Sequence, residues 1–393
     1  MKKKNKWVVC QLENFNGDVR DFARDAGLFC RAFNELGYDT KLILKAPSKE
    51  GELKEFVVRG TEEELSSVEW WRKIDEENVF LYPQRFTSNI NIKIVKAIKK
   101  SGKQIVAYMD VGSEIYPFHS WWFYTKLIFR KHKIKNSVFF VVKSIFDIIK
   151  QHLTLFNFNR YRFFKLIDFV VFPSPISCKH HLSIPFYLPN KIKKKSIVAA
   201  CPIDWSFSYD GTKKEDIVLA IGRWDDEEQK RSQYLMKAIE YSLDRTDAIF
   251  HIFGVTPQRM HDWHSRLPQE YKLKVVLHEC VPNSELREYY NKARIVLCTS
   301  IHESTHLVSA EGLCLGCSVV VTPCPTLSCI HWYTSKNSGT ISRYDTPEAF
   351  SEAIVHELRM WEINRRNPSA ISQQWQDELH VTQTVKKVLN RIG

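Results

Sequence analysis

Residues 295–322 read IVLCTSIHESTHLVSAEGLCLGCSVVVT, and the order of residue types in this stretch decides the fold. The run from Ile295 is apolar without interruption, the composition of a strand covered on both faces. Ser300, Ile301, His302 and Glu303 then read as loop, His306 to Leu315 as helix, and Gly316 as its stop; Ser318 to Thr322 is a second apolar strand. Strand, helix and strand in this order make a βαβ unit, which requires a parallel sheet. In doubly wound sheets ligands bind beyond the carboxyl ends of the strands, where Glu303 falls. The amides around Thr305, His306, Leu307 and Val308, at the start of the helix, face the same crevice and suit an anion such as a diphosphate. Glu311, eight residues after Glu303, is placed to accept from a diol. Two acceptor carboxylates flanking an amide-rich helix start match a nucleotide sugar, with hydroxyls at both ends and a diphosphate between them.

The same alternation extends outward. On the N-terminal side of the quoted stretch, Ile217 to Ile221, Ala248 to Phe253, Val275 to Leu277 and Arg294 to Thr299 read as strands. Helical patterns at Arg231 to Leu243 and Asn283 to Asn291 separate them. An earlier series comprises Trp7 to Leu12, Thr40 to Leu44, Val79 to Tyr82, Gln104 to Met109 and Phe169 to Phe172, with helical patterns at Phe22 to Leu36 and Asn89 to Lys100. Two such series in 393 residues predict two α/β domains. The expected division is residues 1–195, residues 196–375 and a C-terminal helical segment 376–393, with a linker marked by Pro189, Lys191 to Lys195, Pro202 and the turn Tyr209-Asp210-Gly211.

Hydrophobic residues make up 44% of the chain and charged residues 26%, which excludes a disordered polypeptide. The net charge is +12, and its position is informative. Ile115 to Ile167 holds ten Lys/Arg and one acid, and Lys191 to Lys195 adds four lysines, so the rest of the chain is close to neutral. An insertion at about 118–165 therefore carries the excess, interleaved with Trp121, Trp122, Phe123 and Tyr124. Val138, Val141, Val142, Ile145 and Ile149 recur there at helical spacing. Two readings stand open: an amphipathic face for an anionic membrane surface, or an ordinary core face with solvated charges. No nucleic-acid-binding motif accompanies the charge, so nucleic acid is not an expected partner. Lysines at Met1 to Trp7 precede no apolar stretch of signal-peptide length, and no run of about 18 uncharged apolar residues occurs. The expectation is a cytoplasmic protein, peripheral on the inner face of the membrane if the insertion meets lipid. Cys314, Cys317, Cys324 and Cys329 superficially suggest zinc, but they fall on a helix end and an apolar strand, where cysteine acts as a small core residue.

A basic element complements the carboxylates. Gly222 and Arg223 follow the strand Ile217 to Ile221, and Lys230 lies seven residues beyond, so two cations are positioned to converge on phosphate oxygens.

Together these residues resemble family 4 of the retaining glycosyltransferases, whose α/β GT-B fold consists of two facing Rossmann-like domains with a cleft between them. The likeness is carried by an E-x7-E signature at Glu303 to Glu311, continued through Gly312 to Pro323. Ile221-Gly222-Arg223 with Lys230, Phe253-Gly254, Val281 to Leu286 and Ile167 to Ser174 support it. It spans most of the chain and is firmest from about Ile217 to Thr322. The resemblance implies that Glu303 contacts hydroxyls of the donor sugar, that Glu311 holds the ribose, and that Arg223 and Lys230 hold the diphosphate. It also implies that the loop at Gly17 approaches the donor phosphate. The chain departs from the family pattern in four places. Thr305-His306 replaces the usual Phe-Gly, Gly312 an alanine, and Ser318 a proline. Tyr108-Met109-Asp110 stands where a His-Asp pair is usual. Asp110 is accordingly grouped with Arg223, Lys230 and Glu303 as catalytic, with His119 a weaker substitute for the absent histidine.

The implied reaction is transfer of a hexose-like unit from a nucleotide diphosphate sugar, UDP ahead of GDP, to a hydroxyl of a glycan or lipid-linked acceptor. Configuration is retained, and neither a metal nor a further cofactor is expected, Asp225-Asp226 reading as a solvated loop pair. Bacterial-type surface glycan assembly, of lipopolysaccharide or capsule, is the expected setting. A catalytically silent nucleotide-sugar-binding or membrane-associated scaffold subunit is the alternative.

Overall fold

Seven short strands pair in parallel in the order β3-β2-β1-β4-β5-β6-β7, and six more in the order β10-β9-β8-β11-β12-β13. The first sheet comprises β1 (Trp7–Gln11), β2 (Lys41–Lys45), β3 (Val57–Gly60), β4 (Asn78–Tyr82), β5 (Gln104–Tyr108), β6 (Phe169–Phe172) and β7 (Ser196–Val198). The second comprises β8 (Glu215–Arg223), β9 (Ile249–Val255), β10 (Val275–Leu277), β11 (Ala293–Cys298), β12 (Ser318–Val321) and β13 (Gly339–Ile341). These positions come from a computed structural model that describes residues 6–12, 15–83, 88–110, 138–152, 158–183, 189–255, 257–334 and 337–392.

Strand alternation builds the first core on both faces of its sheet. Val8 and Cys10 of β1 join Val79, Leu81, Ile105 and Ala107 on one face. On the other, Trp7 stacks on Phe33 at 5.0 Å and Phe29 packs on Phe80 at 4.5 Å, both phenylalanines coming from the helix Asp25–Glu35. Each fully buried ring of this kind contributes about 1.5–3 kcal/mol. The helix expected from Phe22 to Leu36 is two helices, Val19–Phe22 and Asp25–Glu35. Arg24 between them is extended and Asp25 has φ of 49°, so the chain turns sharply there, with Arg24 Nε donating to Asp25 Oδ2 at 2.7 Å.

The chain divides into two compact units, Met1–Asp204 with Glu378–Gly393, and Trp205–Asp377. The division follows Asp204 rather than lying at 195/196, because Ser196–Val198 adds to β6 as the edge strand of the first sheet. Nor does 376–393 stand apart. Val381, Thr384, Val385 and Val388 form one apolar stripe of the helix Val381–Ile392 and are buried as that helix packs on Asp25–Glu35. Ile203 and the chain around His380 exchange backbone hydrogen bonds, Ile203 N–H to Leu379 C=O and Val381 N–H to Ile203 C=O. Three strands absent from the sequence reading, β3, β7 and β13, are edge strands of three or four residues, too short to show a period.

His119 and most of the basic aromatic insertion lie outside the described residues. Within it, the helix Val138–His152 leaves Val138, Phe139, Val142, Ile145, Phe146 and Ile149 between 46% and 78% exposed, with Val141 half-buried. Among the described residues no helix is long and apolar enough to cross a membrane. Cys314, Cys317, Cys324 and Cys329 are all buried, and the Cys317 thiol donates to the Tyr290 and Ala293 carbonyls.

Candidate functional site

In the second sheet the chain steps from β8 outward to β9 and β10, then returns to the other side of β8 for β11, β12 and β13. The carboxyl ends of β8 and β11 thus flank the point where the winding reverses, where an open sheet leaves a crevice. Arg223 ends β8 and Lys230 closes the following loop, while Thr299 to His306 leave β11.

Hydrogen bonds stitch these two loops together. Ile301 N–H donates to Gln229 C=O at 2.9 Å, and Gln229 Nε2 to His302 C=O at 3.0 Å. Thr299 Oγ1 donates to Lys230 C=O at 2.7 Å, and Arg231 Nε to Thr299 C=O. Lys230 N–H in turn donates to Asp226 C=O at 2.8 Å. One such bond contributes about 1 kcal/mol net; the set holds two loops about seventy residues apart in sequence in one arrangement.

That arrangement brings Lys230 Nζ to 2.5 Å from Glu303 Oε1, and Ser300 Oγ donates to the same oxygen at 2.6 Å. The two charged side chains are only 12% and 11% exposed. Burial acts to raise the Glu303 pKa, but positive charge available from His306 and Lys230, with hydrogen bonds from Lys230 and Ser300, outweighs it and holds the carboxyl below its ordinary value. Arg223 is different: 68% exposed, with Asp226 at 3.7 Å as its ion partner among the described residues. The structure therefore joins Lys230 to Glu303 and leaves Arg223 at the rim. Gly222 pairs with Gly254 across β8 and β9, and the Trp224 ring lies against it while its indole N–H donates to Phe253 C=O.

The helix Leu307–Cys314 starts at the same end. Thr305 and His306 are buried and Leu307 and Val308 half-buried. His306 Nδ1 lies 2.7 Å from Ser309 Oγ, and burial, then the Lys230 charge, lower its pKa to about 4, so its ring is neutral at neutral pH. One turn on, Glu311 accepts from Tyr290 Oη at 3.1 Å; burial and the Glu311 charge push that phenol well above its ordinary value. Gly312 follows because a Cβ there would lie 2.5 Å from Val296 Cγ2, so the helix reaches β11 only without a side chain.

Two candidates belong to the first unit. Asp110 follows β5 and accepts from Tyr82 Oη. Gly17 has φ of 75°, and its N–H and that of Asn16 both donate to Asp21 Oδ2, at 2.8 and 2.6 Å, while Arg59 Nη2 holds the Asn16 carbonyl. In the loop expected to approach the donor phosphate, the Gly17 amide is thus engaged by Asp21 of the helix Val19–Phe22.

Several residues of the site escaped the sequence reading: Gln229, Arg231, Ser300 and Tyr290. Tyr290 had a signal, since it lies four residues after Leu286 on the same face of the helix Asn283–Lys292, and both are buried.

Comparison with known proteins agrees with this fold. Residues 215–359 match the family model described as Glycosyl transferases group 1. Over 98% of its length the chain resembles in fold solved glycosyltransferase structures of the GT-B type. A lipopolysaccharide outer core galactosyltransferase, WaaB in its apo form, gives a TM-score of 0.64 at 14% identity, covering 98% of this chain and 99% of that one. HepE of Anabaena in complex with UDP gives 0.63 at 12%, covering 98% and 99%. WaaG, a glycosyltransferase involved in lipopolysaccharide biosynthesis, gives 0.58 at 12%, covering 98% of both chains. No curated protein sequence matches the chain. The structural likenesses carry the fold, two Rossmann-like units of the GT-B type, and the family model is matched within the second unit. The chain thus has a fold of the GT-B type, and its second unit holds a domain matched by the glycosyl transferases group 1 model.

Proposed function

We propose that the protein is a retaining, metal-independent glycosyltransferase that moves a hexose-like unit from a nucleotide diphosphate sugar to an acceptor hydroxyl. The observation that carries this reading is the Lys230–Glu303 contact at the reversal point of the second sheet, with Glu311, held by Tyr290, on the helix that follows Glu303. In this reading Glu311 takes the ribose hydroxyls, Lys230 and the exposed Arg223 take the diphosphate, and Glu303 takes hydroxyls of the donor sugar. Glu303 already accepts from Lys230 and Ser300, which suits an orienting acceptor better than a nucleophile. The leaving diphosphate then departs on the face from which the acceptor attacks and takes the acceptor proton. Positive charge that strengthens its hold as the diphosphate leaves acts on the transition state more than on the ground state.

UDP is favoured over GDP as the carrier, in keeping with HepE, whose structures hold UDP and UDP-glucose. A glycan or lipid-linked acceptor in lipopolysaccharide or capsule assembly is consistent with the roles printed for WaaB and WaaG. The exposed apolar stripe of Val138–His152, in a basic segment, supports work at an anionic membrane surface on the cytoplasmic side.

Calorimetric titration with UDP, GDP, ADP and CMP, with Glu311→Ala as control, tests the donor site. Selective binding of UDP that the substitution weakens supports the assignment; binding of none of the four brings the silent scaffold reading forward. With a donor in hand, the anomeric configuration of the product and insensitivity to EDTA test retention and metal independence. Sedimentation with anionic and neutral vesicles at low salt tests the membrane surface.

A further inference from the structure

Both helices that start beside the Lys230–Glu303 pair are preceded by a non-glycine residue in the left-handed region, Arg231 at φ of 61° and His306 at φ of 50°. A side chain in that conformation is strained, and glycine would adopt it freely. Arg231 adds a second unfavourable choice, since its charged side chain is 0% exposed. Its contacts offset much of this, although Nη2 is buried without a hydrogen-bond partner among the described residues. Nε donates to Thr299 C=O, Nη1 donates to Asp345 Oδ1 at 2.6 Å, and the guanidinium lies 4.1 Å from the Tyr234 ring centroid. Thr299 answers with its own side chain, donating to Lys230 C=O at 2.7 Å. Side chain 231 thus holds carbonyl 299, and side chain 299 holds carbonyl 230. This reciprocal clamp sits immediately behind Lys230 and at the residue where the chain leaves β11 for Glu303.

We infer that Arg231 is a positioning residue, which holds Lys230 against Glu303 by clamping the exit of β11 and the Asp345 turn to the β8 loop. It does not touch the donor. The inference rests on the reading of Lys230 and Glu303 as the donor-binding pair. Arg231→Gly isolates the effect, because glycine suits the backbone at φ of 61° while removing all three anchors.

Two measurements on the full chain separate the clamp from the donor reading. Amide hydrogen exchange reads the clamp without any substrate: Arg231→Gly is expected to raise exchange at least tenfold in 226–230 and 299–303 and to leave the helix Val381–Ile392 unchanged. Turnover of the donor sugar is then measured in a cycle with Lys230→Ala. If Arg231 acts through Lys230, Arg231→Gly lowers kcat at least tenfold in the wild-type background and less than threefold in the Lys230→Ala background. Unchanged exchange in the two loops overturns the clamp, whatever the kinetics. Equal fold-losses in both backgrounds overturn action through Lys230. Raised exchange with Lys230→Ala fully active overturns the donor role of Lys230, and with it any role of the clamp in turnover.

Discussion

Lys230 and Glu303 lie 73 residues apart in sequence and 2.5 Å apart in space, on loops that leave adjacent strands β8 and β11. Each neutralises the other in a site from which most water is excluded. Removing one partner leaves a buried charge without compensation, which typically costs about 3–5 kcal/mol. Lys230→Ala is accordingly expected to lose stability at the lower end of that range in urea unfolding. Combining it with Glu303→Gln recovers most of the stability and none of the turnover.

Arg223 tests the opposite case. Its side chain is exposed and its ion pair with Asp226 is long, so Arg223→Ala leaves the unfolding midpoint unchanged. At saturating donor, turnover falls at least tenfold, about 1.4 kcal/mol of barrier. An unchanged kcat removes Arg223 from the diphosphate site.

Tyr290→Phe keeps the buried ring and deletes the hydroxyl that Glu311 accepts from. Losing one hydrogen bond of about 1 kcal/mol should weaken UDP binding roughly fivefold in calorimetry, with stability little altered.

Gly312→Ala improves intrinsic helix propensity by about 1 kcal/mol and is nevertheless expected to destabilise. The added methyl meets the stiff Val296 side chain at 2.5 Å, and overpacking of that kind costs about 1–3 kcal/mol. Pairing it with Val296→Ala should restore the midpoint, as urea unfolding of the four proteins will show.

Acid should weaken the fold through two histidines. Burial, then the Lys230 charge, lower His306 to about 4, and burial, then His278, lower His251 to about 4, against an ordinary value of 6.5. The unfolded chain therefore takes up these protons first. Their contribution is complete above pH 6.5 and is lost as pH falls from 6.5 toward 4. Urea midpoints at pH 7.5 and 5 should differ, and His251→Gln with His306→Gln should shrink the difference.

Much of this site was readable from local pattern. Apolar runs of four to six residues, helical spacing and the Glu303 to Glu311 interval all lie within one βαβ unit, and chain connectivity alone puts them at the carboxyl end of a strand. The break at Arg24 and Asp25 was not readable, because a left-handed aspartate leaves no mark on apolar spacing. Nor was the first unit's claim on 381–392, since an amphipathic helix shows that it needs an apolar partner without saying which.

Composition and periodicity thus committed the chain to two parallel α/β units and placed the acidic pair, because those are properties of neighbours along the chain. Which cation meets Glu303 was settled only by packing. Arg223 and Lys230 are both cations near the same strand end, but the hydrogen bonds joining Gln229, Lys230 and Arg231 to Thr299, Ile301 and His302 carry Lys230 inward and leave Arg223 in solvent. Those bonds span about seventy residues of sequence and form only once β8 and β11 are paired. Arg231 reads in the sequence as one more basic residue in a charged loop, and it becomes a buried clamp only when Thr299, Asp345 and Tyr234 are brought around it.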